Sequence, residues 1–311
     1  MAQEQQKRWV EISVQADRES IDDLVGLFNR HCRSGAIVEQ LVDERSATPS
    51  RYATVKGFLP TWDDETRRKL EIALLLLARA TSISEPRIRT LEPEDWSESW
   101  KEYFQPQRIG QHTAIVPTWR EYTPAPGEII VHIDPGMAFG TGLHATTRLC
   151  LIALERQLME RQALPGPTVL DVGTGSGILS IAAALQGAAH VDALDIDPVA
   201  VQVTNENVVL NQVAERVHVS HGTLRGSDTS AEIPVIAASG YDLVLANILA
   251  EVIIALAPAL AQALKAGGTL IASGIIAEKG PAVERALADA GLTLSERLDE
   301  NDWLALIARK P

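Results

Sequence analysis

The sequence predicts an α/β protein with two domains, a small α+β domain followed by a larger domain built on an open parallel sheet. Three observations predict this fold class. A chain of 311 residues, 46% hydrophobic and 22% charged, is long enough to bury two cores. Residues 1–92 alternate strand and helix patterns in a β-α-β-β-α-β order. Residues 168–195 form a β-α-β unit around a glycine-rich turn.

The first 92 residues predict a ferredoxin-like domain. In order, the patterns are a strand, a helix, two strands, a helix and a strand, in the stretches RWVEISVQA, ESIDDLVGLFNRHC, GAIVEQLVDE, RYATVKGFL, DDETRRKLEIALLLLARA and EPRIRTLE. This is the split β-α-β order of ferredoxin-like folds. The domain contains no cluster of chemically capable residues, so we interpret it as a recognition or packing module.

A linker helix is predicted over residues 93–108. Its aromatic side chains Trp96, Trp100, Tyr103 and Phe104 recur at helical spacing on one face. Aromatic residues at this spacing more often belong to a core than to a cofactor contact, so we expect the helix to dock on a neighbour. The larger domain is then expected to span residues 109–311, beginning with strands in HTAIVPTW and EIIVHID.

A glycine-rich loop, DPGMAFGTGLHATT, occupies residues 134–147. It does not match a Walker phosphate loop, because Gly142 is followed by Leu143 and His144 rather than by lysine and a hydroxyl residue. It does not match a dinucleotide loop either, since Ala145 stands where the third glycine belongs.

The stretch TVLDVGTGSGILSIAA predicts a Rossmann-like nucleoside site. A strand ends near Asp171, the turn contains Gly173, Gly175 and Gly177, and a helix follows. The next strand ends at Asp195, close to where a ribose-binding carboxylate is found in such folds. Strand, glycines, helix and acid together are a much more specific signal than the glycines alone.

Charge indicates which nucleoside the site binds. The formal net charge is −13, and residues 93–311 account for −12 of it. No lysine or arginine occurs between Arg161 and Arg216, so the pyrophosphate of a dinucleotide is disfavoured. S-adenosylmethionine carries an adenosine without phosphate and has a sulfonium and an ammonium group, both of which an acidic site favours. The same acidity disfavours direct nucleic-acid binding and favours a basic partner, although it is also explained by solubility alone.

A second polar position lies at the end of another apolar strand, in YDLVLANILAEVI. Ligands of open α/β sheets bind beyond the carboxyl ends of the strands, so Asn247 is expected to face the same crevice as Gly173 and Asp195. An amide there is suited to orienting an attacking amine. The alternative is that Asn247 only caps the following helix.

The chain resembles the ribosomal protein L-eleven methyltransferases (PrmA family). The residues that carry the likeness are DPGMAFGTGLHATT, VLDVGTGSGILSIAA, DIDPVA, NILA and the upstream EDWSESWKEYF. The likeness covers most of residues 93–311, whereas residues 1–92 match in topology only. It departs from the family pattern at Leu143 and Ala145, where a small polar residue and a proline are expected.

This resemblance implies a seven-stranded class I S-adenosylmethionine-dependent methyltransferase domain. It implies an enzyme that methylates amino groups, on lysine side chains and the N-terminal amine, of a basic large-subunit ribosomal protein, with residues 1–92 recognising that substrate. It also places Thr147, Gly173, Asp195 and Asn247 at the cofactor site.

Further roles follow for the glycine-rich loop and its neighbours. The loop is expected to close over the methionyl end of the cofactor, with Phe139 shielding the sulfonium and Gly175 completing the cofactor turn. Asn247 and His144 are the candidate catalytic residues. His144 has two interpretations, a structural hydrogen-bonding residue at the base of the loop or a polar group near the incoming amine.

Other function classes are excluded or remain as alternatives. The chain lacks two features of a nicotinamide dehydrogenase. Ile178 stands where the third glycine of the dinucleotide turn belongs, and donors for the phosphates are absent. A lysine methyltransferase acting on a different protein and a non-catalytic ribosome assembly factor both stay open. We expect no metal, no membrane contact, a cytoplasmic location and a monomer. Cys32 and Cys150 have no metal-type spacing and are expected to be buried apolar residues.

Overall fold

A computed structural model describes residues 9–17, 20–21, 24, 27–28, 31–32, 37–42, 49–61, 63–79, 81–91, 105–134, 144–160, 165–225, 233–236 and 238–311. The chain divides into two compact units, Met1–Phe104 and Gln105–Pro311. Among the described residues, no helix is long and apolar enough to cross a membrane.

The first unit has the predicted ferredoxin-like topology. Its elements are the strands β1 (Trp9–Asp17), β2 (Ile37–Val42), β3 (Pro49–Pro60) and β4 (Arg87–Leu91) and the helix α1 (Asp64–Leu77). The strands form one antiparallel sheet in the order β2-β3-β1-β4. Where the first helix is predicted, Leu24 and Phe28 are helical and fully buried, and they share a core with Leu70 and Leu74 of α1.

The helix predicted over residues 93–108 is wrong at its C-terminal end. Residues 92–104, which include its aromatic face, lie outside the described residues. Gln107–Ile109 forms a strand, β5, that pairs antiparallel with β6 (Thr113–Pro117). Gly110 turns the chain with a φ of +73°, a backbone conformation that glycine adopts without steric cost. Backbone pairing with β6 therefore makes residues 107–108 part of a strand instead of the predicted helix.

A three-stranded sheet opens the second unit, in the order β5-β6-β7, where β7 is Ile129–Ile133. It is attached to the helix α2 (Ala145–Glu160) by the buried carboxylate of Glu155. The carboxylate accepts hydrogen bonds from the backbone N–H groups of Gln111 (2.7 Å) and His112 (3.1 Å) and from the hydroxyl of Thr113 (2.7 Å). The β5–β6 turn is thereby fixed on the main body of the unit.

The main body of the second unit is a seven-stranded sheet in the order β10-β9-β8-β13-β14-β16-β15, and β16 is antiparallel to its neighbours. The strands are β8 (Thr168–Val172), β9 (His190–Asp195), β10 (Val217–His221), β13 (Tyr241–Asn247), β14 (Leu264–Ile276), β15 (Thr293–Glu300) and β16 (Trp303–Arg309). A two-stranded sheet of β11 (Thr223–Leu224) and β12 (Val235–Ile236) lies between β10 and β13 in the chain. The remaining helices are α3 (Ile178–Leu185), α4 (Pro198–Leu210), α5 (Ala250–Ala263) and α6 (Gly280–Asp289).

This order confirms the predicted Rossmann-like, seven-stranded domain. The strand order reverses between β8 and β13, because β9 follows β8 on one side of it while β13 lies on the other. Ligands of such sheets bind beyond the carboxyl ends of the strands at this switch point. Apolar clusters cover both faces of the sheet, and both Cys32 and Cys150 are buried as expected.

Candidate cofactor site

The glycine turn after β8 is tied to the neighbouring strand β9. The backbone N–H groups of Gly173 and Thr174 both donate to the carbonyl of Leu194, at 2.8 and 3.0 Å. Gly173, Gly175 and Gly177 have φ values of +78°, +61° and +83°. Residues with a Cβ rarely adopt this conformation, so the three glycines give the turn a shape that other residues would strain.

Close packing is a second reason for two of these glycines. A Cβ on Gly173 would lie 2.3 Å from Cγ2 of Ile248, and one on Gly177 would lie 2.8 Å from Cγ2 of Thr204. Gly177 is also the residue that precedes α3. The turn therefore lies directly against the segment that follows β13, which brings the two predicted parts of the site together.

Asp195 is partly exposed at the end of β9, and its carboxylate is held by the backbone on both sides. Its Oδ2 accepts a hydrogen bond from Gly175 N–H and its Oδ1 one from Asp197 N–H, both at 2.9 Å. A carboxylate can accept about four hydrogen bonds, so two acceptor positions remain for the hydroxyls of a ribose. This geometry fits the predicted ribose-binding role.

The buried Asp171 joins the same turn to α3, a role that the sequence analysis did not assign. Its Oδ2 accepts from the hydroxyls of Thr174 (2.9 Å) and Ser180 (2.6 Å). Its Oδ1 is buried without a hydrogen-bond partner among the described residues. Burial is the main cause that raises the pKa of this carboxyl to about 6. The sequence signal for this role of Asp171 is an acidic residue at the end of an otherwise apolar strand, followed by the hydroxyl residues Thr174 and Ser180.

Asn247 and Thr147, which are predicted at the site from distant parts of the chain, are in contact. The amide Nδ2 of Asn247 donates to Oγ1 of the fully buried Thr147 at 3.3 Å. The residue that caps α5 is Leu249, which has no side-chain acceptor, so the alternative that Asn247 caps this helix is wrong. The hydrogen bond to Thr147 uses an N–H of the Asn247 amide, so the amide oxygen can accept a hydrogen bond from another donor.

Two glycines confine the backbone next to Asn247. Ile248 lies against Gly173 on one side, and its carbonyl oxygen would be only 2.1 Å from a Cβ on Gly274 of β14. Ile248 N–H also donates to the carbonyl of Ser273 at 3.1 Å. The segment that carries Asn247 is thus fixed between the glycine turn and β14.

His144 lies at the start of α2, in an enclosed and hydrogen-bonded position. Its Nδ1 is 2.8 Å from the hydroxyl of Thr146, and its ring meets Trp303 edge-on with centroids 4.7 Å apart. Burial, followed by the charge of Arg148, lowers the pKa of the imidazole to about 4. The ring is therefore neutral at physiological pH, and it is too weak a base to take a proton from a lysine ammonium group.

A further residue of the site, Asn207 on α4, escaped the sequence analysis. This side chain is buried. Its amide oxygen accepts a hydrogen bond from Asp134 N–H (3.0 Å), and its amide nitrogen donates one to Asp134 C=O (3.0 Å). It also donates to the carbonyl of Ser176 in the glycine turn at 2.9 Å. Residues 135–143, including Phe139, lie outside the described residues. Asn207 therefore links the residue that precedes this loop to the cofactor turn.

Comparison with known proteins identifies the family. The family model of the ribosomal protein L11 methyltransferases (PrmA) matches residues 8–311. The chain belongs to this family. A relative from Chloroflexus aurantiacus, named ribosomal protein L11 methyltransferase, is 42% identical over 327 residues that cover 97% of this chain and 98% of that protein. One of the same name from Pelotomaculum thermopropionicum is 40% identical over 320 residues, with coverage of 97% and 98%.

A solved structure supports the fold and the activity. The crystal structure of a ribosomal protein L11 methylase from Lactobacillus delbrueckii subsp. bulgaricus is 35% identical, has a TM-score of 0.55, and covers 67% of this chain and 100% of that chain. The family match and this likeness confirm the class I methyltransferase fold, an enzyme that transfers methyl groups, and S-adenosylmethionine as its cofactor. The residues of the site fit this cofactor, since a glycine turn and an oriented carboxylate are present in a stretch without lysine or arginine.

Proposed function

We propose that the enzyme methylates amino groups of ribosomal protein L11, on lysine side chains and on the N-terminal amine, with the residues described above as its active site. The observation that carries this assignment is the contact between Asn247 and Thr147 beside the glycine turn. It places an amide at the edge of the sheet where the cofactor turn lies. The names of the relatives supply the protein substrate.

Asp195 and the glycine turn hold the nucleoside in this proposal. The carboxylate of Asp195 accepts hydrogen bonds from the ribose hydroxyls, and the hydrogen bond from Gly175 N–H holds that carboxylate in position. Gly173 lets the backbone approach closely. When bound, S-adenosylmethionine supplies a methyl group that is electrophilic because it is bonded to a positively charged sulfur. Phe139, in the glycine-rich loop, is proposed to shield that sulfur.

Asn247 orients the amine. Thr147 fixes the amide with its N–H side occupied, so the amide oxygen accepts a hydrogen bond from the incoming N–H and directs the nitrogen lone pair. Alignment of this kind is the main contribution an enzyme makes to a displacement reaction. His144 acts as a positioning residue at the start of α2, because its neutral ring packs on Trp303.

Recognition of the protein substrate is assigned to residues 1–92, and chemistry to the second unit. The family resemblance implies a basic substrate, which the excess of acid in the second unit favours, and the same acidity disfavours direct binding of nucleic acid. Each unit has a core of its own, so neither needs a second copy to complete it, and we propose a monomer. We also propose a cytoplasmic location, on the ground that the substrate is a ribosomal protein.

The test is methyl transfer from labelled S-adenosylmethionine to purified L11, compared between the wild type and Asn247→Ala. We expect kcat to fall by on the order of a hundredfold, while the Kd for S-adenosylmethionine changes little, because the amide positions the amine. Asn205→Ala is the matched control, since the side chain of Asn205 is exposed and donates to the carbonyl of Val201 in its own helix.

The alternatives correspond to other outcomes of the same assay. Transfer to another protein but not to L11 would identify a different lysine methyltransferase. Cofactor binding without transfer to any protein would indicate a non-catalytic assembly factor. Equal losses in kcat and in cofactor affinity for Asn247→Ala would make Asn247 a cofactor ligand only.

A further inference from the structure

Three side chains able to bind a metal meet on β9 and β10, toward the amino ends of these strands. His190 is the first residue of β9, and Asp192 follows two positions later, on the same face of the strand. His218 of β10 lies directly beside Asp192 in the parallel register. Asp195 is at the opposite, carboxyl end of β9, so this cluster is separate from the cofactor site.

The distances suit one metal ion. A ligand atom of each residue lies within 4.8 Å of those of the other two. His190 Nε2 is 2.9 Å from Asp192 Oδ2, and the two imidazole rings have centroids 4.8 Å apart. Bonds of about 2.0–2.1 Å in a tetrahedral zinc site separate two ligand atoms by roughly 3.4 Å. Small side-chain rotations therefore bring all three atoms to bonding distance.

Tyr241 supplies the support that metal ligands usually have. Its hydroxyl donates to Asp192 Oδ2 at 2.6 Å, which orients the carboxylate toward the histidines. Tyr241 begins β13, so the hydrogen bond is made across the intervening strand β8.

A surface ion pair between His190 and Asp192 explains two of the three residues. It does not explain His218, whose ring packs against that of His190. His218 is exposed, so a fourth position is open to water. Cys32 and Cys150, which would otherwise compete for zinc, are both buried.

We propose that His190, Asp192 and His218 bind one divalent transition-metal ion, with Tyr241 as the residue that orients Asp192. Two histidines and one carboxylate are a donor set that suits zinc and its neighbours in the first transition row. The ion would join the edge strand β10 to β9. Its role would be to stabilise the strand that carries Asp195 at its other end.

Titration of the full-length protein with zinc, followed by calorimetry and by thermal unfolding, tests the site. We expect one zinc ion per chain and a rise in Tm that a chelator reverses, because an ion that binds only the native state stabilises it. Cobalt(II) in place of zinc should give the visible absorption of a protein-bound ion.

Variants locate the binding. Tyr241→Phe should weaken zinc binding by about 10- to 100-fold, as loss of an outer partner does, and His218→Ala should weaken it by at least about a hundredfold. His132→Ala is the matched control, since it removes another exposed histidine of the same unit. Circular dichroism and cofactor binding confirm that each variant is folded.

Two results would overturn the proposal. The first is no heat and no change in Tm at millimolar zinc, which leaves a surface ion pair only. The second is zinc binding that a folded His218→Ala variant retains in full.

Discussion

In the proposed site, the carboxylate of Asp195 both holds the glycine turn and binds the ribose, and this dual role determines how its variants should behave. Its two oxygens accept backbone N–H groups from Gly175 and Asp197. Removal of the carboxylate should therefore loosen the turn as well as remove the proposed ribose contact. A change that keeps the size of the side chain separates these two effects.

Asp195→Ala should weaken binding of S-adenosylmethionine by at least about a hundredfold, since hydrogen bonds to a charged group contribute about 1.5–3 kcal/mol each. Asp195→Asn keeps one acceptor for the turn and should lose about tenfold. Calorimetry measures both values. Asp197→Ser is the control, because serine retains the N-cap bond that Asp197 makes to Val199 N–H. Unchanged affinity in Asp195→Ala would remove this residue from the site.

The buried carboxyl group of Asp171 should make the stability of the protein depend on pH. Burial raises the pKa of its carboxyl from 3.8 to about 6, so the native state holds this proton to higher pH than the unfolded chain does. The stability it contributes is complete below the unfolded pKa and is lost as pH rises through about 6. Asp171→Asn keeps an oxygen for the hydroxyls of Thr174 and Ser180 but carries no charge.

The difference in stability between Asp171→Asn and the wild type should therefore grow in favour of the variant from pH 4 to pH 8, by on the order of 3 kcal/mol. Denaturant unfolding at several pH values measures it, and subtraction of the wild type cancels the other titrating groups. A difference that stays constant over this range would show that the Asp171 carboxyl has an ordinary pKa.

At the scale of elements, two asparagine side chains one helical turn apart, one on α4 and one at its C-cap, hold the end of β7 and the residue that follows it. Asn211 accepts from His132 N–H (2.8 Å) and donates to His132 C=O (2.7 Å). Asn207 does the same for Asp134 and adds the bond to Ser176. Each amide thus pairs with the strand as a neighbouring peptide group would. The spacing works because residues i and i+4 of a helix share a face and residues i and i+2 of a strand share an edge.

Asn207→Ala should lower Tm and raise the Kd for S-adenosylmethionine, because it removes three hydrogen bonds to the backbone of Asp134 and Ser176, each worth about 0.5–1.5 kcal/mol. Asn205→Ala, on the exposed side of α4, should change neither quantity. Thermal unfolding and calorimetry provide the two measurements. If Asn207→Ala lowers Tm but binds the cofactor normally, the link to Ser176 has no part in shaping the site.

At the scale of the whole molecule, the two units have separate cores. Leu24, Phe28, Leu70 and Leu74 belong to the cluster of the first unit, whereas the two larger clusters lie in the second. The proposed cofactor residues all lie in the second unit. Substrate recognition and methyl transfer should therefore be separable.

A truncated protein of residues 105–311 should bind S-adenosylmethionine almost as the full chain does, yet scarcely methylate L11. A short lysine peptide at high concentration should restore part of the transfer, since only the effective concentration of the amine is lost. Circular dichroism and cofactor binding must first show that the truncated protein is folded. Methylation of intact L11 at the full-length rate would show that the first unit does not recognise the substrate.

The β-α-β unit from Thr168 to Asp195 was predictable because its information is local. Strand, glycine turn, helix and second strand follow one another within 28 residues, and each follows from a pattern or a backbone requirement of its own residues. The ferredoxin-like order of the first unit was predictable for the same reason. The prediction of the linker helix is wrong at residues 107–108 because the pairing of β5 with β6 depends on a partner strand, which helical spacing does not reveal.

The sequence by itself determined the family, the cofactor class and the identity of the turn and its acid, because these depend on residue types within short windows. Only the tertiary structure decided which distant residues meet. Asn247 contacts Thr147 across 100 positions, Asn207 reaches Asp134 across 73, and His218 lies beside Asp192 from the next strand. These contacts are set by strand order and register, which the burial of the whole sheet selects and no short stretch of sequence encodes.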